Sequence, residues 1–452
     1  MRQALGLEDV ESADELLKQE PHPPEGPGSR GFLGLLKQLG PGLIAGASDD
    51  DPSNIGVYAQ AGSAYGFSCL WLFMLTLPLM AAVQEACARI ALETGVGLGR
   101  SLGRKFPHKL VGFLIFALVL GNCITLGADL SAVAAGIGLL LPWQLAPIWL
   151  VVPVALGLLV MQLFLTYETI AKTFKYLTVA LFAYVLEAIV LRPDPLRLAA
   201  ATLVPHLELT NAFAMIVVAV LGTTLSPYIF FWQASLVVQE KRGEGKMSER
   251  ARHGTDVGTL LRTRADVLTG IVVAQLVMYC LTISTAVVLN AHGKHDVQSA
   301  EQAAQALAPL AGKFAFLLFA AGLIGSGLLT IPVLSASSAY AVGEFFDLPG
   351  SLGTKARYRP AFYAILAAAL VFGVAMNVLR LNPIRALVVS SVIEGIIAAP
   401  LLVLIVLIGS DRKVMSDRVS GRLSKTLGWI AAAVMTASSL YFLVQLGRGQ
   451  GG

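Results

Sequence analysis

Residues 46–56 read Gly-Ala-Ser-Asp-Asp-Asp-Pro-Ser-Asn-Ile-Gly, three adjacent carboxylates and a proline inside an otherwise apolar segment. On insertion scales an aspartate at the bilayer centre costs about 2.5–3.5 kcal/mol, so three facing lipid would cost roughly 8–10 kcal/mol. Asp49, Asp50 and Asp51 must therefore face water, a proton or a cation. A second polar interruption stands at Leu221-Gly222-Thr223-Thr224-Leu225-Ser226-Pro227-Tyr228, again with a proline among small polar residues. Carboxylates repel an anionic guest, so the chemistry these residues suit is the reception of a cation.

The elements that must position them are membrane helices. The chain has 452 residues, of which 56% are hydrophobic and 14% charged, and its mean hydropathy is +0.71. Apolar stretches able to cross about 30 Å of hydrocarbon occupy residues 38–64, 67–92, 110–140, 146–165, 171–191, 211–237, 266–290, 314–343, 359–379, 384–408 and 426–446. Lipid offers no hydrogen bonds to the backbone, so these eleven spans are expected to be helices, in an all-α polytopic membrane protein. Lys and Arg concentrate in the loops after even-numbered spans: Arg100, Arg104, Lys105 and Lys109, then Lys172 and Lys175, then residues 241–264, 355–359 and 412–425. The loops between spans one and two and between three and four hold none. That asymmetry places the N-terminus in the cytoplasm and the C-terminus outside a cell membrane. The net charge of +4 follows from this topology and implies no nucleic-acid partner. Residues 1–30 are acidic and proline-broken, and are expected to be a disordered or briefly helical cytoplasmic tail. Cys69, Cys87, Cys123 and Cys280 lack paired spacing and read as buried thiols.

A helix starting near Gln38 reaches Asp51 after thirteen residues, about 20 Å at about 1.5 Å per residue, in the middle third of the bilayer. There Pro52 removes a donor and disfavours helix at the preceding residue. Ser53 and Asn54 are expected to extend the interruption, with apolar character resuming at Ile55. Spans one and six head two five-span halves, residues 38–191 and 211–408, with 426–446 an extra helix. Interrupted helices at matching places in two halves point to a transporter with inverted repeats and a midplane site. A pair of ordinary proline kinks is the bland reading, and the acid cluster weighs against it.

The residues resemble the Nramp family of divalent metal transporters. Gly40-Pro41-Gly42 through Asp51-Pro52-Ser53-Asn54 to Gly66 and Trp71 is similar to that family's first helix with its Asp-Pro-Gly-Asn motif. Gly222-Thr223-Thr224-Leu225-Ser226-Pro227 falls where the family typically has Gly-Ala-Thr-X-Met-Pro-His. The resemblance covers residues 38–446 and implies a LeuT-type fold, with metal held by Asp51, Asn54 and the Thr223 carbonyl. Ser226 stands where the family has a metal-binding methionine, Tyr228 where it has a histidine, and Gln233 where it has a second. In Gly127-Ala128-Asp129-Leu130-Ser131-Ala132, Asp129 matches the first of an acidic pair implicated in proton movement, and Ala132 replaces the second. These losses are similar to those of Nramp-related magnesium transporters. An all-oxygen set of Asp51, Asn54, the Thr223 carbonyl and the Ser226 hydroxyl suits Mg²⁺, Ca²⁺ and Mn²⁺ over thiophilic ions, and a small serine leaves room for a retained water.

The expected substrate is thus Mg²⁺ or Mn²⁺, imported by alternating access with weak or no proton coupling and no resident cofactor. A proton-coupled Mn²⁺ or Fe²⁺ symporter is the nearest alternative, and an organic-cation or amino-acid carrier on the same fold a more distant one. An aspartyl hydrolase would leave the twin breaks without a purpose. Asp49, Asp50, Asp129, Tyr228, Gln233 and Glu394 are further candidates for the vestibule or a proton path. Asp49 or Asp50 is alternatively a cap for the next half-helix, Asp129 an interhelical hydrogen-bond acceptor, and Gln233 a helix–helix contact. Glu85 and Arg89, four residues apart, read as an ion pair, Glu187 and Glu344 as snorkelling or paired, and the charge run 239–264 as a solvated loop.

Overall fold

The computed structural model describes residues 45, 46, 48–141, 148–164, 181–208, 210–295, 297, 300–348, 350, 352, 356–379 and 383–447. The acidic tail, Gly40-Pro41-Gly42, Lys172 and Lys175 lie outside the described residues.

Helix occupies most of the described part of every predicted span; the ends shift by a few residues, and span two starts only after the 3-10 turn Gly66–Cys69. Span two is Trp71–Thr94, span three His108–Leu140 and span four Ile148–Phe164. Span five is described over Leu181–Leu191. Spans seven to eleven are Val257–Val288, Ala300–Phe345, Pro360–Val378, Pro383–Gly409 and Arg422–Gly447. Among the described residues, seven helices are long and apolar enough to cross a membrane, counting the two pieces of span six as one. Among the described residues, four α-helices are additional to the predicted spans: Leu98–Lys105 between spans two and three, Pro195–Leu203 between spans five and six, started by the Asp194 cap, and the single turns Glu249–Arg252 and Arg412–Met415.

The helices pack in two groups. Spans one, two, six and seven lie against one another, while span three is packed by spans eight, nine and ten. Span eight also touches span one and the second half of span six, so the two groups meet there. Lipid gives little hydrophobic drive for helix association, so close backbone approach at small residues carries it. At Gly62 of span one an added Cβ would lie 2.1 Å from Thr285 Oγ1 and 2.4 Å from the Thr282 carbonyl of span seven. Gly127 and Gly373 bring spans three and nine together in the same way: a Cβ on either would lie 3.2 Å from the other's Cα.

One end of the bundle gathers the loops that come after spans two, six, eight and ten. The helix Leu98–Lys105 ties them: Arg104 pairs with Glu249, Arg100 with Asp347 at 2.6 Å, and Lys105 with Asp411. Hydrogen bonds from Arg104 hold the Glu249 carboxyl below the usual glutamate range. Most of the charge run 239–264 is exposed or half-buried, in keeping with the solvated loop expected of it, but two of its cations are not. Lys241 is buried, its ammonium donating to the carbonyls of Leu92, Arg252 and Gly254, and buried Arg252 donates to those of Gly95, Lys246 and Met247. Backbone carbonyls satisfy these cations, neither of which makes a salt bridge among the described residues. The Glu85–Arg89 pair forms as expected. Glu344 accepts from Ser235 Oγ at 2.9 Å and from the Gly99 amide at 3.0 Å. Glu187 does not snorkel: it is 1% exposed, and among the described residues neither carboxyl oxygen has a hydrogen-bond partner. Its position on Leu181–Leu191 turns it inward.

Candidate metal site at two helix breaks

The first break spans the acids. Ala45 and Gly46 are helical, Ser48 and Asp49 form a turn, Asp50 belongs to no regular element and Asp51 is extended. Helix resumes at Pro52 and runs to Tyr65, earlier than the expected restart at Ile55. A proline at the first helical position loses no intrahelical bond and is pre-set in φ, so Pro52 opens a helix instead of prolonging a gap. The cap is Asp51 itself, whose Oδ1 accepts the Asn54 amide at 2.7 Å. That corrects the assignment of capping to Asp49 or Asp50. Ser53 and Asn54 accordingly sit in the first turn, their side chains carried at the broken end. Gly66, at φ 58°, closes this half-helix in a conformation unfavourable for other residues.

The second break is shorter. Asn211–Thr224 ends with Leu225 as its cap, Ser226 is extended, and Pro227 starts Pro227–Gly243 by the same device. Here the Ser226 hydroxyl does not cap the helix it precedes. It turns back to donate to the Thr223 carbonyl at 2.6 Å.

The two breaks interlock. Asn54 Nδ2 donates to the Thr223 carbonyl at 3.2 Å and to the Asp49 carbonyl. Tyr228 donates its phenol hydrogen between the Ser48 carbonyl at 3.0 Å and Asp51 Oδ2 at 3.3 Å. Tyr58 and Thr224 share a hydrogen bond at 2.6 Å one turn further on. Four of the predicted residues, Asp51, Asn54, Thr223 and Ser226, therefore meet at one place, all at most 4% exposed. They offer a carboxylate, an amide, a carbonyl and a hydroxyl.

The remaining candidates divide. Asp129 of span three touches the site: Oδ1 accepts from the Ser53 amide at 3.2 Å and from Ser53 Oγ at 2.7 Å, which is the interhelical bond expected of it. Its Oδ2 is buried without a hydrogen-bond partner among the described residues, as are Asp49 Oδ1 and Asp50 Oδ2. The Asp50 carbonyl accepts from Ser326 of span eight. Glu394 of span ten takes the Thr125 hydroxyl at 2.8 Å. Gln233 is fully buried, and among the described residues its amide has no hydrogen-bond partner. No three His, Cys, Asp or Glu side chains among the described residues come together as a group able to hold a metal ion. A caged acidic triad at Asp49–Asp51 is thus absent from that set. A cation here would rely on mixed neutral and charged oxygens. The phenol bridge from Tyr228 to Asp51 was not legible in the sequence, because 177 residues separate them.

Residues 42–445 match the family described as Nramp, "Natural resistance-associated macrophage protein-like". The divalent metal cation transporter MntH of Pectobacterium carotovorum subsp. carotovorum (strain PC1) is 24% identical over 413 residues, covering 90% of this chain and 94% of that protein. The fold is similar to the crystal structure of the Eremococcus coleocola manganese transporter, with a TM-score of 0.73, 17% identity, and coverage of 94% of this chain and 90% of that one. It is similar also to a Na⁺-coupled sialic acid symporter at a TM-score of 0.56, 12% identity and 88% coverage of each chain. The nucleobase-cation symporter Mhp1 gives 0.54 at 15% identity, covering 90% of this chain and 93% of its own. With two spans broken at facing points and a family match running nearly end to end, the chain belongs to the Nramp family of membrane transporters and has a LeuT-type fold.

Proposed function

We propose that the protein imports divalent cations, Mg²⁺ or Mn²⁺, across the cell membrane by alternating access, with weak or no proton coupling and the N-terminus in the cytoplasm. The observation that carries this reading is the bond from Asn54 to the Thr223 carbonyl, which places an acid-bearing break directly against a carbonyl-bearing one. The names of the MntH relative and of the manganese transporter support the substrate class. The donor set is all oxygen, the chemistry of hard cations.

Binding makes definite demands on this geometry. The Thr223 carbonyl accepts from both Asn54 and Ser226, so a cation taking that oxygen displaces at least one donor. Asn54 then has to present its amide oxygen in place of its NH₂, and Ser226 has to turn its hydrogen away and offer a lone pair. Asp51 supplies the charge, held in place through Oδ1 by the Asn54 amide. Span one meets span eight at Pro52 and Gly327, a contact that lets the first group rock against the second. An inside-negative potential contributes about 2.3 kcal/mol per charge per 100 mV, hence about 4.6 kcal/mol for a divalent ion. That is more than a thousandfold in concentration, enough for uphill import without protons.

Asp129 favours a second reading. A buried carboxylate in contact with Ser53, two residues from Asp51, is placed to hand protons to the site, as a proton-coupled symporter needs. Proteoliposomes with a pH dye inside separate the two. Saturable Mg²⁺ and Mn²⁺ uptake, lost in Asp51→Ala and accompanied by no internal acidification, is the expected result. Acidification in step with metal entry would replace it with the symporter. Unchanged uptake in Asp51→Ala would remove the site.

A further inference from the structure

We infer that Tyr228 is a positioning residue of the transport site, whose phenol hydrogen competes with the cation for the charge of Asp51 and so loosens the hold on the ion. The inference rests on the reading of Asp51 as a cation ligand.

The acceptors around Asp51 are already in use. Its Oδ1 takes the Asn54 amide at 2.7 Å. Its Oδ2 faces the Tyr228 hydroxyl at 3.3 Å, and the same hydrogen serves the Ser48 carbonyl at 3.0 Å. A phenol has one hydrogen, so it is shared between the carboxylate and a main-chain oxygen of the first break. A hard cation seats itself on oxygens at about 2.0–2.6 Å, and its charge repels a hydrogen aimed at the same lone pairs. A carboxylate oxygen has more than one lone pair, so the ion can share Oδ2 with the phenol, but it then binds an oxygen whose negative charge the phenol hydrogen already draws on.

The phenol hydrogen can swing about its C–O bond to the Ser48 carbonyl, but the ring itself is fully buried and its backbone is held at both sides. Pro227 fixes the chain before it, and Ser337 of span eight donates to the Tyr228 carbonyl at 2.8 Å. The hydroxyl oxygen therefore stays beside Asp51, and an arriving ion either turns the phenol hydrogen toward Ser48 or binds the weaker ligand. The hydroxyl acts on the ion only through Asp51 and Ser48, hence a positioning role.

Tyr228→Phe keeps the ring and deletes the competitor. In titration calorimetry with Mn²⁺ on the full chain in detergent, Kd is expected to fall about three- to tenfold, the range for loss of a shared hydrogen bond to a charged group. In proteoliposomes KM falls in parallel while turnover also falls, because the ion leaves more slowly. A merely structural role would weaken binding and turnover together, so the opposite signs identify competition. Tyr228→Leu carries the same comparison if the Phe variant does not fold. Asp51→Ala separates the two levels. If it abolishes binding while Tyr228→Phe leaves Kd unchanged or raised, the competition is wrong and the site stands. If Asp51→Ala binds Mn²⁺ as the parent does, both are wrong.

Discussion

Ser226→Met puts a thioether where the structure has a hydroxyl. Ser226 is 2% exposed and donates to the Thr223 carbonyl at 2.6 Å, so the change removes that bond and inserts a longer side chain into a filled space. The lost hydrogen bond costs about 0.5–1.5 kcal/mol and overpacking about 1–3 kcal/mol, so the variant should unfold several degrees below the parent. Selectivity should move in a definite direction. Mg²⁺ loses an oxygen whose contact is comparable to a hydrogen bond with a charged group, about 1.5–3 kcal/mol, whereas Cd²⁺ gains a soft ligand. The Cd²⁺-over-Mg²⁺ preference is expected to rise at least about tenfold, about 1.4 kcal/mol. Calorimetric titration of parent and variant with Mg²⁺, Mn²⁺ and Cd²⁺ reads this directly, with gel filtration reporting that the variant is folded. A folded variant with an unchanged preference would mean that residue 226 does not reach the ion, and the all-oxygen set would lose a member.

The packing leads to three further outcomes. A Cβ on Gly327 would lie 2.1 Å from Val133 Cγ2 and 3.1 Å from Pro52 Cγ, so Gly327→Val should cost about 1–3 kcal/mol in thermal stability and slow uptake by wedging span eight from span one; unaltered transport would argue against motion at this contact. Lys241→Met strips a donor from three main-chain carbonyls, two of them in buried bonds, and should destabilise by about 1–3 kcal/mol, whereas Lys246→Met, whose partner Glu244 is half exposed, should change little in the same melting assay. Glu249 has its carboxyl held low by Arg104, so its stabilising effect is full above the ordinary glutamate value of about 4.3 and fades as pH falls through the lowered one. The melting difference between parent and Glu249→Gln should thus stay level from about pH 8 to 6 and close in acid; a gap that widens on acidification would contradict the assignment.

Hydropathy and composition located the membrane spans because the cost of exposing polar backbone to lipid is written in run length. Both breaks were legible for the same reason: Asp51-Pro52 and Ser226-Pro227 are expensive at mid-depth unless used. The restart of each half-helix at its proline was less legible, since Pro52 both ends the preceding segment and starts the next one, and the capping side chain decides between them. Partners across long separations were not legible at all. Nothing near Tyr228 announces Asp51, and nothing near Lys241 announces the carbonyls of Leu92 and Gly254. Lys241 and Arg252 read as solvated with the rest of the run 239–264 because carbonyl acceptors leave no mark in a sequence. Glu187 misled in the same way: closeness to a span end set its depth, while the helix face it occupies set its burial.

The central claim is that a divalent ion sits between the two breaks. Crystals of the protein soaked in Mn²⁺ and measured at the manganese edge would locate it. An anomalous peak is expected within about 2.0–2.6 Å of an Asp51 oxygen, the Asn54 amide oxygen and the Thr223 carbonyl, absent in Asp51→Ala. A peak elsewhere in the membrane region with the Asn54–Thr223 bond intact, or a peak that survives Asp51→Ala, would contradict it.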